Sequence, residues 1–123
     1  MKQDDLCGAG RCKVVHDVIS LVGDKWSVLV VNALGDGSRR FSDIKRTVDG
    51  ISQKMLTVTL RALERDGYVT RTVHPTVPPR VDYELTDLGR DLLGPVTALG
   101  RWALANHTRI RSARDAYDAR GGE

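Results

Sequence analysis

Residues 51–68, with the sequence ISQKMLTVTLRALERDGY, constrain the fold most, because they carry the signals of one complete amphipathic helix. Ser52 is a favourable N-cap residue, and Gly67 is of the type that commonly follows the last helical turn. Three leucines between them recur with the spacing of a single helical face: Leu56, Leu60 and Leu63. The sequence therefore predicts a helix over 52–65 with one buried face.

The opposite face of this predicted helix is polar and cationic. A rotation of about 100° per residue places four side chains away from the leucines, namely Lys54, Val58, Arg61 and Arg65. Amide and hydroxyl groups suit base edges in a major groove, whereas cations suit phosphates. DNA contacts are thus expected from Ser52, Gln53, Lys54, Thr57, Val58 and Arg61. Ser52 is foremost a cap, Val58 suits a thymine methyl group, and a plain solvated face is the alternative for the whole set.

The charge distribution supports a polyanion-binding surface in the same region. The chain has 123 residues, a formal charge of +3 and a pI of about 9.1. Residues 39–65 contain seven basic and three acidic residues, which leaves +4 there and −1 elsewhere. A positive excess concentrated around one helix is typical of nucleic-acid binding.

Length and composition indicate one soluble domain. Hydrophobic residues make up 41% of the chain and charged residues 28%, and no apolar run approaches the ~18 residues of a membrane span. The polar N-terminus does not resemble a secretory signal, so we expect a cytoplasmic protein without membrane contact. The sequence contains no nucleophile–base pair, phosphate-binding loop or metal-ligand cluster, so we expect neither an enzyme nor a cofactor.

The segments that precede residues 51–68 predict a helix-turn-helix. Helices are predicted over 13–22, over 25–34 after an Asp24 cap, and over 43–48 after a Ser42 cap. Arg39 to Phe41 is predicted to be short and extended. Asp49-Gly50 then makes a tight turn into the amphipathic helix, as in helix-turn-helix proteins.

The segments that follow predict a wing and a long terminal helix. Residues 68–73 and 81–85 alternate like strands, and three prolines stiffen the loop between them. Such a ribbon directly after the amphipathic helix is a wing. Thr86 is expected to cap the final helix, with a kink or a break near Leu93 because Gly94-Pro95 follows.

Further cations are placed where they would reach DNA. Arg39, Arg40, Lys45 and Lys25 are candidates for phosphate contacts, although an ordinary surface role is open for each. Arg80, at the wing tip, is a candidate for a phosphate or the minor groove. An ion pair across the ribbon with Asp82 or Glu84 is its alternative.

Seven motifs between about Cys12 and Trp102 stand in an order that resembles the HxlR-type winged-helix transcriptional regulators. They are GDKWS (23–27), RFSDI (40–44), GISQKML (50–56), LRALE (60–64), DGYV (66–69), PPRVDY (78–83) and LTDLG (85–89). The expected fold is mainly α with a small β-ribbon, a winged helix-turn-helix with extra N- and C-terminal dimerisation helices. Its expected parts are a flexible arm (1–11), the DNA-binding and dimerisation domain (12–107), and a helical extension with a frayed tail (108–123).

The resemblance implies a homodimeric repressor or activator that binds a pseudo-palindromic double-stranded DNA operator. Family members pair through their first and last helices, which assigns the dimer interface to Val18, Leu21, Leu99 and Trp102. The apolar residues of the last helix also exceed what a small winged helix covers alone. A small-molecule or oxidant effector is implied as well.

Cys7 and Cys12 are the candidate redox-sensing residues. Arg11 and Lys13 flank Cys12, and nearby cations favour a thiolate. The resemblance adds that many members sense electrophiles or oxidants through a cysteine ahead of the first helix, commonly one residue later, where this chain has Lys13. A thiol sensor, a metal site and two cysteines without special chemistry remain open, with the metal site least supported because His16 is the only further ligand nearby.

Two other functions remain open. One is a regulator controlled by a non-covalent small-molecule ligand, and the other is a winged-helix module that binds protein and not DNA. The second would be expected to show apolar or acidic residues on the outer face of helix 52–65, where this chain has basic and polar ones.

Overall fold

The computed structural model describes residues 11–121. Its elements are α1 (Arg11–Gly23), α2 (Lys25–Ala33), β1 (Arg39–Arg40), α3 (Phe41–Thr47), α4 (Gln53–Arg65), β2 (Val69–His74), β3 (Arg80–Leu85) and α5 (Asp87–Ala119). The predicted flexible arm lies almost wholly outside the described residues. The mainly α winged-helix class with a small β-sheet is confirmed.

Helices α3 and α4 form the helix-turn-helix, joined by the predicted Asp49-Gly50 turn. Gly50 has a φ of +83°, a conformation that favours glycine, and Ile51 is buried just before α4. The start of α3 differs from the prediction. Arg40 takes the N-cap position without a side-chain hydrogen bond, and Ser42 lies inside the first turn. The predicted Ser42 cap is therefore wrong, because the chain passes directly from β1 into the helix.

The sheet has three antiparallel strands in the order β1–β3–β2. Strands β2 and β3 pair over six residues, from Val69 opposite Leu85 to His74 opposite Arg80. The predicted two-stranded ribbon gains a third strand, because Arg40 pairs with Asp82 on the other edge of β3. This pairing ties the start of the helix-turn-helix to the wing.

One apolar core holds these elements together. Its fully buried side chains come from α2 and the residue after it, and from α3, α4 and β2: Val30, Val31, Leu34, Ile44, Leu56, Leu60, Leu63 and Val69. The three leucines that predicted α4 are all buried, and each is worth roughly 1.5–3 kcal/mol relative to an exposed side chain. Burial of this one face of α4 fixes its other face toward solvent.

A kink or a break was predicted near Leu93, and of these the break is wrong, because helix α5 is continuous over 33 residues. Pro95 removes one backbone hydrogen bond from the helix. Leu93 packs on the core before the proline and Val96 is buried just after it, which holds both segments in place. The helix also continues past residue 108, the predicted start of the extension. Among residues 11–121, no helix is long and apolar enough to cross a membrane.

Candidate nucleic-acid interface

The N-terminus of α4 is fixed by Ser52. Its Oγ accepts a hydrogen bond from the Met55 main-chain N–H at 3.0 Å, which is the predicted cap. The first turn carries no acidic residue, so the positive end of the helix dipole is not offset there. An anion such as a DNA phosphate is favoured at this position.

The outward face of α4 carries the predicted contact groups. Gln53, Lys54 and Arg61 are exposed, and Val58 exposes 51% of its surface. Thr57 is half-buried, and its hydroxyl donates to the Gln53 carbonyl oxygen at 2.9 Å. The hydroxyl oxygen of Thr57 still has acceptor capacity. The face thus combines donors, acceptors and cations around the exposed side chain of Val58.

A cleft of about 280 Å³ separates the C-terminal half of α4 from the sheet. Its walls include Arg61 and Glu64 of α4, and Arg71 and Tyr83 of the sheet. Arg71, directly opposite Tyr83 in the strand register, was not among the predicted site residues. The alternation from buried Val69 could have identified it, since residues two apart share a face.

Three charged or titratable side chains meet at the end of the wing. Arg80 donates to Asp82 through Nε to Oδ1 and through an Nη nitrogen to Oδ2, both at 3.1 Å. His74 Nε2 lies 2.9 Å from the same Oδ2. The hydrogen bonds from Arg80, aided by His74, hold the pKa of the Asp82 carboxyl below its ordinary value. The ion pair that was the alternative for Arg80 is therefore present, within one strand.

The cations of β1 have different surroundings. Arg39 contacts Thr47 Oγ1 at 3.5 Å and the Asp36 carboxylate at 4.0 Å, so it links β1 to α3 and to the preceding turn. Arg40 is exposed and lines a cleft of about 570 Å³ shared with the wing loop and Arg80. Arg40 is thus the more accessible of the two for an anion.

Lys45 and Lys25 lie on separate parts of the molecule. Lys45 is exposed on α3 and lines a cleft of about 520 Å³ beside the turn into α4. Lys25 Nζ lies 4.4 Å from the centroid of the Trp26 ring, and it borders an apolar groove between α2 and α5. Lys45 therefore adjoins the helix-turn-helix, while Lys25 adjoins the last helix.

The four residues assigned to a dimer interface lie on α1 and α5. Leu99 exposes 53% and Trp102 57% of their surfaces, and Val18 is also exposed. Leu21 is half-buried and packs against the core. Three of the four are large apolar side chains that are exposed to water on a single chain. Such exposure is unfavourable, and another surface that covers these side chains would remove it.

Cys12 is exposed in the first turn of α1. Lys13, one of its flanking cations, lies 3.8 Å from the Asp17 carboxylate one turn along the helix. Cys7 lies outside the described residues. Within 11–121, no group of three or more His, Cys, Asp and Glu side chains could hold a metal ion.

Comparison with known proteins identifies the family. The family model described as "HxlR-like helix-turn-helix" matches residues 21–111. The chain is 42% identical over 100 residues to the uncharacterized HTH-type transcriptional regulator YtfH of Escherichia coli (strain K12), covering 81% of this chain and 79% of that protein. This relative is described as a transcriptional regulator.

Solved structures agree with this assignment. The structure of the putative transcriptional regulator ytfH from Salmonella typhimurium matches with a TM-score of 0.74 and 42% identity, over 81% of this chain and 89% of that one. The redox regulator HypR in its reduced form matches with a TM-score of 0.75 and 38% identity, over 80% and 97%. The chain therefore belongs to the HxlR-like helix-turn-helix family and is a winged-helix transcriptional regulator.

Proposed function

We propose that the protein is a homodimeric, sequence-specific DNA-binding regulator that acts in the cytoplasm. Helix α4 enters the major groove, and the wing contacts the flanking backbone or minor groove. The observation that carries this proposal is the outer face of α4, where Gln53, Lys54 and Arg61 are exposed around Val58. Because the leucine face of α4 is buried, these side chains point away from the core and toward solvent.

The contacts divide into two kinds. Gln53, Lys54, Thr57, Val58 and Arg61 face the bases, with an amide for adenine and a guanidinium for guanine. Ser52, Arg40 and Lys45 sit at helix ends or beside the turn and suit phosphates, which fix the register. Arg39 and Lys25 contribute less, because Arg39 is held by Thr47 and Asp36, and Lys25 lies over Trp26.

Salt dependence tests the DNA-binding proposal. A duplex selected from a random-sequence pool by the wild-type protein is titrated at several salt concentrations. We expect the logarithm of the affinity to fall steeply with the logarithm of salt, because each neutralised phosphate releases counterions. Affinity that is indifferent to salt, or failure to select any sequence, would instead favour a protein-interaction module.

The apolar surface of α1 and α5 supports the proposed dimer. Val18, Leu99 and Trp102 are exposed in one chain, and a two-fold partner that covers them places two α4 helices on one operator. Sedimentation of Leu99→Glu tests this, and we expect a shift from dimer to monomer. Val77→Glu is the matched control, since Val77 is fully exposed on the wing loop and should leave the dimer intact.

Regulation through Cys12 completes the proposal. HypR, a structural relative, is described as a redox regulator, and Cys12 is exposed at the start of α1. Because α1 contributes to the proposed dimer interface, a modified thiol there changes how the two α4 helices are spaced. The effector is an oxidant or an electrophile in this mechanism.

A further inference from the structure

We infer that Asp82 is a positioning residue for DNA binding, which holds the Arg80 guanidinium so that its free edge faces the DNA beside the wing. The inference rests on the proposed DNA-binding function. Asp82 is acidic, and from its charge alone it would be expected to repel DNA phosphates and weaken binding.

The geometry of the pair supports this role. Asp82 takes the Nε edge of the Arg80 guanidinium through two hydrogen bonds of 3.1 Å. An arginine has five N–H groups in a rigid fork, so three remain, and two of these lie on the edge formed by the two Nη nitrogens. That edge is the one that grips a phosphate or a base edge with two hydrogen bonds.

Asp82 is held in place from a neighbouring strand. Its side chain is 13% exposed, whereas those of Arg80 and His74 are 48% and 41% exposed. His74, opposite Arg80 in the strand register, contacts Oδ2 at 2.9 Å. The anchored carboxylate is therefore the fixed member of the cluster, and the exposed guanidinium is the member that it orients.

The cluster is not needed to form the hairpin. Strands β2 and β3 pair over six residues down to Val69 and Leu85, which are both buried. The loop has its own hydrogen bonds, because the Thr76 main-chain N–H donates to the His74 carbonyl and its hydroxyl donates to the Pro78 carbonyl, both at 2.8 Å. A variant that lacks the Asp82 charge is expected to keep the wing.

The other charges nearby leave a cationic surface. Arg40 pairs with Asp82 across β1 and β3, so the two residues share one face of the sheet. Arg40 and Arg80 line the same cleft beside the wing loop. One carboxylate therefore stands among two guanidinium groups and a histidine, and its removal makes the surface more positive.

The direction in which Asp82→Asn changes the DNA affinity tests the inference. If Asp82 acted only through its charge, Asp82→Asn would strengthen binding to the duplex selected by the wild-type protein. Positioning predicts the opposite, a loss of about tenfold, because the guanidinium loses its fixed orientation. Glu84→Gln is the matched control, since Glu84 is exposed two residues along on the same strand and face, and its loss should slightly strengthen binding.

A double-mutant cycle shows whether the effect runs through Arg80. Asp82→Asn should no longer weaken binding in an Arg80→Ala background, and the same holds in Arg80→Lys, which keeps the charge without the fork. Arg80→Ala should also reduce the salt slope by about one. Circular dichroism melts of every variant verify that the fold is retained.

Any of three outcomes overturns the inference. Asp82→Asn binds DNA as tightly as the wild type or more tightly; Asp82→Asn lowers the DNA affinity equally with and without Arg80; or Arg80→Ala leaves the DNA affinity unchanged. Failure of the proposed function has a different signature, because the wild-type protein itself would then show no salt-dependent DNA binding.

Discussion

The α-carbon of Gly89 lies against the main-chain carbonyl of Tyr68, so close that a Cβ on Gly89 would stand 2.2 Å from that oxygen. The same carbonyl accepts a hydrogen bond from the Thr86 main-chain N–H at 3.0 Å. Thr86 also donates its hydroxyl to the Gly67 carbonyl at 2.6 Å and accepts from the Gly89 N–H at 3.1 Å. The base of the wing is thereby joined to the first turn of α5.

Gly89→Ala should destabilise the protein by about 2–3 kcal/mol, because the clash is with backbone and forces α5 away from β2. Urea unfolding at equilibrium measures this change. Gly94→Ala is the matched control in the same helix, where a Cβ meets nothing within 4 Å. It should be neutral or stabilising by up to about 1 kcal/mol. Equal effects of the two substitutions would contradict the packing argument.

Ser52→Ala should cost about 1 kcal/mol of stability, since the Met55 N–H loses the acceptor that caps α4. Ser42→Ala is its control, because Ser42 is an exposed serine near the start of α3 that does not cap the helix. Its effect should stay within about 0.5 kcal/mol. Chemical denaturation measures the unfolding free energy of both variants. A larger loss of stability for Ser42→Ala than for Ser52→Ala would contradict the assignment of the caps.

These two serines show what local sequence could predict. Both precede a predicted helix, so propensity alone treats them alike. Ser52 caps because Ile51 is buried and fixes the chain just before the helix. Ser42 does not, because β1 pairs with β3 through contacts some forty residues apart, which moves the helix start to Phe41. Long-range strand pairing is not encoded in the few residues around a cap.

Arg61→Ala should weaken operator binding by about 1–3 kcal/mol and relax the preference at one base position, if Arg61 makes a two-pronged base contact. Mobility-shift titrations against the selected duplex and its single-base variants measure both effects. Arg114→Ala is the control, an exposed arginine near the end of α5. A loss that is the same for every sequence would reassign Arg61 to a phosphate.

Acid unfolding tests the wing cluster independently of DNA. The pKa of Asp82 is lowered in the folded protein, mainly by its hydrogen bonds from Arg80. The ionised carboxylate therefore adds stability above the ordinary Asp pKa of about 3.9, and this contribution disappears as the pH falls through the lower folded value. Urea unfolding between about pH 5 and pH 2 should show a shallower pH dependence for Asp82→Asn.

Arg80→Ala should remove most of the same pH-dependent contribution, since Arg80 is its largest cause. A wild-type pH profile in both variants would mean that the hydrogen bonds of the wing are not maintained in solution.

The candidate site was partly predictable for similar reasons. The face of α4 follows from a 3.6-residue period that one helix contains, so Gln53, Lys54 and Arg61 were identifiable without a structure. The pairing of Arg80 with Asp82 was one of two alternatives, but the contact of His74 with Asp82 was not predicted, because His74 lies across a hairpin whose register depends on the loop. Arg80 could be assigned either to DNA or to an ion pair; the structure contains the ion pair at 3.1 Å, and the DNA contact is part of the proposed function.

Cys12→Ser should abolish any response of DNA binding to oxidants and electrophiles while leaving the basal affinity unchanged. Cys12 is exposed on α1, which is not the helix proposed to contact the bases, so in the proposed mechanism its modification acts through the dimer. Mobility shifts are measured before and after treatment with a quinone, whose ring carbon the thiolate attacks to form a C–S bond. The two quinone oxygens take up one proton from solvent and the proton that the attacked carbon releases, so the product is a hydroquinone joined to Cys12 by a thioether.

Cys7→Ser is the paired variant, and mass spectrometry assigns the adduct to one thiol or the other. Retention of the response in Cys7→Ser together with its loss in Cys12→Ser would identify Cys12 as the sensor. The mechanism would be wrong if the wild-type protein formed the Cys12 adduct without any change in DNA affinity. It would be equally wrong if Cys12→Ser responded like the wild type, since α1 would then carry no regulatory thiol at this position.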